Sequence, residues 1–515
     1  MQNIYPTRKY KNAAFRKIIF ILLFVIGIHQ KQAIAQEKLY REQFRPQFHF
    51  SPKTNWTNDP NGLVYAKGVY HLFYQHNPFE NVWGHMTWGH ATSKDLIHWK
   101  HEPIAIPELK DTMIFSGTCV YDQNNSSGLG TKEHPPMVAI YTGHIENVKQ
   151  AQHLAYSIDD GKTWTKYNKN PILDLNKKDF RDPKVFWYAP KKYWVMCVNL
   201  PQEHQVQFYA STNLIDWKFL SDFGPMGDEI GVWECPDLVQ IPVLNSKEKK
   251  WVLQTSNHER MQYFMGEFDG VKFTMDPNQK TILRPNAGPD YYAGISYGQL
   301  PANHLPVTIA WANNWRYARK IPTYPWKGAM SLPRNLWAEK INGNWQLLQK
   351  PISNLNALRK KLAFQKSSLQ NKDETITLSA MGIHEDVYEC DFEISSSTNE
   401  KTGIIVLNDG ASGVVIGYDP KPKQVFINRT NTNTSFDAAF AEMGYFAAPV
   451  TTTSNKIKFQ VFVDNSIVEL FVNNGETTFT LQAFPKHSDK TIKTLPSNTV
   501  GSVKNVQIYP LQSIW

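Results

Sequence analysis

Ser93-Lys94-Asp95-Leu96-Ile97-His98-Trp99 is the stretch from which the fold is read. It returns as Ser157-Ile158-Asp159-Asp160-Gly161-Lys162-Thr163-Trp164, again as Ser211-Thr212-Asn213-Leu214-Ile215-Asp216-Trp217, and more weakly as Phe268-Asp269-Gly270-Val271-Lys272-Phe273. The copies are spaced by roughly 50 to 65 residues, which suits one four-stranded propeller blade with its loops. Each copy is expected to be a turn and the outer strand that closes a blade. Between the copies run short segments rich in β-branched and aromatic residues, such as Tyr70-His71-Leu72-Phe73-Tyr74, Met137-Val138-Ala139-Ile140-Tyr141 and Trp251-Val252-Leu253-Gln254; these are strand signals. Long stretches with a 3.6-residue apolar period are scarce, so the chain reads as all-β. Four copies plus a closing segment around Pro333 to Leu348 predict a five-bladed β-propeller over residues 36–350.

After about Pro351 the texture changes. Alternating strands appear, among them Gly403-Ile404-Ile405-Val406-Leu407 and Lys458-Phe459-Gln460-Val461-Phe462-Val463. They predict a β-sandwich over 371–515, joined to the propeller by a linker, 351–370, with a short helix. A chain of 515 residues fits two domains. At the other end, Arg8, Lys9, Lys11, Arg16 and Lys17 precede an apolar run from Ile18 to Ile28, and Ala33-Ile34-Ala35 supplies an Ala-x-Ala cleavage signal. Residues 1–35 therefore read as a secretory signal peptide, the run being too short to cross a bilayer. A secreted or periplasmic protein, with no stable membrane anchor after cleavage, is expected.

The formal net charge of +9 comes largely from that segment, which holds six Lys or Arg and no acid. The remainder has 49 basic and 46 acidic residues and no prominent basic run. Nucleic acid is thus not an expected partner. Cys119, Cys197, Cys235 and Cys390 are widely spaced and form no Cys-x-x-Cys. No metal and no cofactor are expected, and the cysteines are read as free buried thiols. Most of the 16 tryptophans are assigned to β-rich cores rather than to sugar binding.

Three carboxylates stand in short motifs: Asp59 in Trp56-Thr57-Asn58-Asp59-Pro60-Asn61-Gly62, Asp182 in Phe180-Arg181-Asp182-Pro183, and Glu234 in Trp233-Glu234-Cys235-Pro236. Taken alone, Asn-Asp-Pro-Asn-Gly is a turn sequence and Arg-Asp is a local ion pair. Together, each near the start of a predicted blade, the acids can converge at one mouth of the channel. Hydrolysis of a glycosidic bond with retention needs one carboxylate as nucleophile and one carboxylic acid as proton donor. On local grounds, Asn58 and turn amides favour an ionised Asp59, Arg181 keeps Asp182 charged, and Glu234 has no adjacent base and a desolvating neighbourhood that suits a raised pKa.

The stretch from Phe48 to Trp99 resembles the N-terminal segment of glycoside hydrolase family 32, the invertases, inulinases and levanases. Phe115-Ser116-Gly117-Thr118, Arg181-Asp182-Pro183, Trp233-Glu234-Cys235-Pro236-Asp237, Asp290-Tyr291-Tyr292-Ala293, Trp311-Ala312-Asn313-Asn314-Trp315 and Pro333-Arg334 follow in the same order, and Val461 to Phe471 matches more loosely. Thr57 departs from the pattern, standing where the family usually has Met.

The resemblance implies a five-bladed propeller with Asp59 as nucleophile, Glu234 as acid/base and Asp182 as a transition-state stabiliser holding fructose hydroxyls. It further implies substrate contacts from Asn58, Gln75, Trp83, Phe115, Ser116, Arg181 and Trp311, with Trp83 and Trp311 as apolar walls. The expected partner is a fructan or sucrose substrate, and Trp83 to His90 resembles the levanase and exo-inulinase version of its motif. Fructan exo-hydrolysis therefore leads. Invertase or fructosyltransferase activity on the same scaffold, and a non-catalytic fructan-binding propeller, stand as alternatives. Linkage preference (β-2,6 or β-2,1) and oligomeric state are open at this level.

Overall fold

A computed structural model describes residues 39–369, 374–410, 412–452, 455–496 and 503–515; the expected signal peptide lies outside them. Of the unit Met1–Arg45, the described end holds turns and an Arg45–Glu42 ion pair at 2.8 Å. The unit Pro46–Trp515 carries the strands. No helix among the described residues is long and apolar enough to cross a membrane.

The N-terminal part of this unit is built from sheets of consecutive antiparallel strands. The first contains β1 (Asn55–Ala66), β2 (Val69–Asn77), β3 (Thr87–Ser93) and β4 (Trp99–Ile106). The second contains β5 (Met113–Tyr121), β6 (Met137–Ile145), β7 (Lys149–Ser157) and β8 (Thr165–Lys166), with β9 (Leu173–Lys177) also on β7. The third and fourth are β10 (Arg181–Tyr188) to β13 (Lys218–Phe223), with β11 (Tyr193–Leu200) and β12 (Gln205–Ser211) between, and β14 (Trp233–Pro242), β15 (Lys249–Asn257), β16 (Arg260–Phe268) and β17 (Phe273–Met275). The fifth is β18 (Tyr292–Ser296), β19 (Val307–Trp311), β21 (Arg334–Ile341) and β22 (Asn344–Pro351). Between its strands, β20 (Trp326–Lys327) leaves to pair in parallel with β1, tying the last sheet to the first.

The first strands form the inner ring. β1 packs on β5, β5 on β10, β10 on β14 and β14 on β18, and β18 returns to β1. Each gap between sheets holds its own apolar layer, such as Trp88 and Ile106 against Ile114 and Ala139, or Ile241 and Met265 against Leu336. Trp56, Trp88, Trp233, Trp311 and Trp326 are fully buried. The repeated Ser-x-Asp element is a side-chain-stapled turn between the third and fourth strands. Ser93 Oγ accepts from the amides of Asp95 and Leu96 at 3.1 and 2.9 Å, and Asp95 Oδ1 accepts from Ile97 and His98 at 2.9 Å. Ser157 with Asp159, Ser211 with Asn213, and Asp269 alone repeat that pattern.

The C-terminal part has two six-stranded sheets around one core. One is β23 (Phe364–Leu369), β34 (Val503–Pro510), β25 (Val387–Ser395), β30 (Lys456–Asp464), β31 (Ile467–Val472) and β32 (Thr477–Gln482). The other is β24 (Thr375–Thr377), β33 (Thr491–Thr494), β26 (Thr402–Val406), β27 (Val414–Asp419), β28 (Gln424–Asn428) and β29 (Tyr445–Pro449). The described part of the expected linker, 351–369, holds more than a short helix. After a 3-10 turn at Ser353–Leu358 it becomes β23, because Phe364–Leu369 can pair along β34. All four cysteines are buried and unpaired.

Candidate active site

The three acids leave the inner ring from the same kind of irregularity. β1 slips register against β2 between Thr57 and Pro60, β10 against β11 between Arg181 and Lys184, and β14 against β15 between Glu234 and Asp237. A bulge adds a residue to one strand and re-aims its side chains. At Asp182 and Cys235 the backbone adopts φ of 67° and 48°. Asn58-Asp59-Pro60-Asn61-Gly62 is therefore no turn, but a kinked stretch within a twelve-residue strand. Proline fits here because β10 and β14 are sheet edges and β20 covers β1 only at Asn55 and Trp56, so the missing N–H lies on an edge or at a bulge. Pro60, Pro183 and Pro236, with Lys184 and Ile295, line a small space of about 10 Å³ beside Asp182. That is room for about one water molecule.

Asp59 and Asp182 are 8% and 6% exposed, and the Glu234 side chain is 24% exposed. Ser116 Oγ donates to Asp59 Oδ2 at 2.7 Å, and Asn58 Nδ2 donates to Oδ1 at 3.0 Å. Asn58 is itself oriented by Trp56 Nε1, 2.8 Å from its oxygen. The Cys235 amide donates to Asp182 Oδ2 at 2.9 Å, and its sulfur lies 3.6 Å from both Asp59 Oδ2 and Asp182 Oδ2. Arg181 reaches Glu234 Oε1 through Nε at 3.1 Å and Nη2 at 3.0 Å, while its Nη1 is held by Asp179 at 2.8 Å and Gln150 at 3.2 Å. The Tyr292 hydroxyl donates to Glu234 Oε2.

This geometry corrects the local charge assignments. Arg181 grips Glu234, 53 positions away in the chain, and stands 4.0 Å from Asp182. Burial pushes the Asp182 carboxyl up to about 7; Arg181 opposes the rise, and the charges of Glu234 and Asp59 add to it. Burial also raises Asp59, against the hydrogen bonds from Ser116 and Asn58. Burial disfavours the charged form of Arg181 as well, but Glu234, Asp182 and Asp179 outweigh it and hold its pKa high. Trp233 desolvates nothing at the site, since its ring fills the apolar layer between the third and fourth sheets.

The residues expected to bind substrate divide. Asn58, Ser116 and Arg181 touch the acids directly. Trp83 and Phe115 are half-buried and meet edge to face at 6.2 Å, with Phe115 stacked on His144 at 4.2 Å. Gln75 is buried on β2, with an amide nitrogen that has no hydrogen-bond partner among the described residues. Trp311 is not a wall. Its ring is wholly buried against Trp56, Tyr292 and Trp315, and half-buried Trp315 is the indole of that cluster that reaches solvent.

Residues 49–351 match the Glycosyl hydrolases family 32 N-terminal domain, and residues 354–510 match the Glycosyl hydrolases family 32 C terminal. The chain belongs to glycosyl hydrolase family 32. A levanase of Bacillus subtilis (strain 168) is 39% identical over 519 residues, covering 97% of this chain and 74% of the levanase. An extracellular exo-inulinase of Aspergillus awamori is 36% identical, covering 92% of this chain and 96% of that protein. The crystal structure of the A. awamori exo-inulinase aligns with a TM-score of 0.87 at 35% identity, over 92% of this chain and all of the other. The fructofuranosidase of Schwanniomyces occidentalis complexed with fructose aligns with a TM-score of 0.83 at 30% identity, over 92% and 99%.

Tyr292, Cys235 and Trp315 are the residues of this family 32 site that sequence reasoning left unassigned. Each stood inside a motif already singled out. What was missing was the contact: Tyr292 reaches an acid on the neighbouring sheet, which no spacing along the chain announces.

Proposed function

We propose that this family 32 enzyme is an exported, retaining β-fructosidase that removes terminal β-D-fructofuranosyl residues from fructans, levan or inulin, and from sucrose. The observation that carries this reading is the convergence of the three acids: the Cys235 sulfur lies 3.6 Å from both Asp59 and Asp182, and Arg181 stands between Asp182 and Glu234, at 4.0 and 3.0 Å. Asp59 attacks C2 of the terminal fructosyl ring while Glu234 delivers a proton to the departing glycosidic oxygen. The resulting fructosyl-Asp59 ester is cleaved by water, whose proton returns to Glu234. Asp182 accepts hydrogen bonds from ring hydroxyls, and its negative form favours the oxocarbenium-like transition state. Glu234 is the least buried acid, as a group that must meet both leaving group and water should be.

The narrowness of the space beside the acids supports exo-action. A ring seated on the acids cannot pass through that space, so the rest of a chain leaves by the mouth it entered, which fits a chain end better than a chain middle. The levanase and exo-inulinase relatives support polymer substrates over sucrose alone. Early digests of levan, inulin and sucrose, resolved by chromatography, test the proposal. Free fructose alone is expected from the polymers, and an oligosaccharide ladder before fructose overturns exo-action. Rapid sucrose cleavage with negligible polymer cleavage moves the assignment to invertase, and longer products at high sucrose move it to fructosyltransferase. Proton NMR of the first product should show β-fructofuranose; initial α-anomer overturns the double displacement.

A further inference from the structure

We infer that Arg429, on the C-terminal β-sandwich, is a positioning residue for catalysis that holds the acid/base Glu234 in place through Asp290 and Tyr292. The inference rests on the role given to Glu234 above.

The segment that delivers Tyr292 to the site is stitched to the sandwich before β18 begins. The Ala287 amide donates to Thr478 O at 2.7 Å and the Asp290 amide to Thr480 O at 3.2 Å. Asn286 exchanges hydrogen bonds with Thr480 through its side chain, at 3.0 and 3.1 Å. Residues 286–290 thus lie along β32, an outer strand of its sheet. At the end of this stretch Asp290 is fully buried, and its carboxylate is shared between the domains. Arg429 Nη1 and the Gln482 amide donate to Oδ2 at 3.0 and 2.7 Å, and the Tyr317 hydroxyl donates to Oδ1 at 2.6 Å. Arg429 Nη2 donates to that same hydroxyl at 3.0 Å, closing a ring of three side chains. The guanidinium is 0% exposed and lies 3.6 Å over the Phe440 ring, so it has one place to stand.

Two residues beyond Asp290, Tyr292 donates its hydroxyl to Glu234. Between them Tyr291 lies 4.3 Å under the guanidinium of Arg334, itself bonded to Glu469 of the sandwich at 2.6 Å. Asp290 and Tyr291 are therefore both clamped by buried cations, each tied to the second domain, directly at Asp290 and through Arg334 at Tyr291. Just after Tyr292 the chain turns at Ala293, with φ of 51° and its amide on Ser256 Oγ at 3.0 Å. The tyrosine has little freedom to shift independently of Asp290. A general acid must keep its geometry to a fraction of an ångström, and a displacement of about 1 Å can cost about a hundredfold in rate.

The test compares wild type, Tyr317→Phe, Arg429→Met and Tyr292→Phe, and each of the first two substitutions combined with Tyr292→Phe. Steady-state kinetics on sucrose and inulin are measured for variants shown to be folded by circular dichroism and thermal melting. Tyr317→Phe should lower kcat about tenfold and Arg429→Met up to about a hundredfold, with KM within about twofold of wild type. Both losses should vanish when Tyr292 is already Phe, because the path they act through is gone. Additive losses in the double variants overturn the inference, as does a rise in KM with kcat unchanged. If Arg429→Met does not fold, Tyr317→Phe decides the question, since it removes a single hydroxyl. No turnover by wild type on either substrate overturns the fructosidase reading instead, and this inference with it.

Discussion

At the scale of single residues, the site is a problem of charge: Asp59 and Asp182 are almost dry, and the one guanidinium, Arg181, binds Glu234 and Asp179 and stands 4.0 Å from Asp182. Asp182 bears the consequence, its carboxyl pushed by burial from the ordinary 3.8 to about 7. Between those values the folded protein holds more protons than the unfolded chain, so stability falls as pH rises through that window. Asp182→Asn removes this penalty along with the charge proposed to favour the transition state. The variant should lose several orders of magnitude in turnover yet melt higher than wild type above pH 7, with the gain shrinking toward pH 4. A gain independent of pH, or a loss, would contradict the charge account. Asp59→Ala and Glu234→Ala should each reduce turnover by several orders of magnitude in a folded protein. More than about a tenth of wild-type rate, or less than about 1.4 kcal/mol of barrier, would exclude the assigned role.

The elements show why these residues meet. Bulges in β1, β10 and β14 break the alternation of side chains at the same level of the inner ring, so three acids turn toward one point. Gly62 lies in a second register shift of β1, between Asn61 and Val64, three residues past Asp59: its φ is +53°, and an added Cβ would sit 2.7 Å from Phe73, 3.0 Å from Trp88 and 3.1 Å from Cys119. Gly62→Ala should destabilise the protein by about 2–4 kcal/mol, combining left-handed strain with overpacking, and should lower kcat by moving Asp59. Gly68, at φ +84° with only the Tyr65 hydroxyl 4.0 Å away, serves as the comparison. Its alanine variant should cost about 1 kcal/mol and leave kcat unchanged. Equal urea midpoints for the two variants would refute the packing argument.

For the whole molecule, the decisive feature is the seam between propeller and sandwich, where charges are paired in the absence of water. His49 meets Asp464 at 2.7 Å, Arg334 meets Glu469 at 2.6 Å, and Asp290 meets Arg429 at 3.0 Å, with every side chain fully buried. Burial alone would lower the His49 pKa, but hydrogen bonds to Asp464 and Glu469 outweigh it and raise it to about 9. The stabilisation from this charge is complete below pH 6.5 and is lost as pH rises through about 9. Wild type should therefore melt progressively lower from pH 6.5 to 9.5. His49→Gln should melt lower at pH 6 and show a flatter profile; an unchanged slope would refute the assignment. Removing one partner of a buried pair costs about 3–5 kcal/mol, because the other charge is left buried and unpaired, a large share of a domain's stability of about 5–15 kcal/mol. Residues 46–352 expressed alone should not fold, and a soluble, cooperatively melting, active fragment would show that the seam is dispensable.

The sequence by itself determined the propeller and picked out the three acids as candidates. Side-chain-stapled turns such as Ser93-Asp95 and strand patterns such as Tyr70–Tyr74 are made by neighbours in the chain, and local chemistry is written locally. Asp59, Asp182 and Glu234 announced themselves for the same reason, since each bulge carries its own proline. Only the tertiary structure decided which groups surround those acids. Arg181 looks like the partner of Asp182 along the chain and is the partner of Glu234 in space. Desolvation depends on what else fills the surrounding volume. The same holds for Trp311, whose place in the motif is visible but whose burial behind Trp315 is not. It holds for Phe364–Leu369, polar enough to read as a linker until β34 offers its edge. And it holds for Asp290 and Arg334, whose motifs are plain in the chain but whose partners, Arg429 and Glu469, belong to another domain: pairing across 135 or more residues is set by the packing of two folded surfaces, and no short-range pattern encodes it.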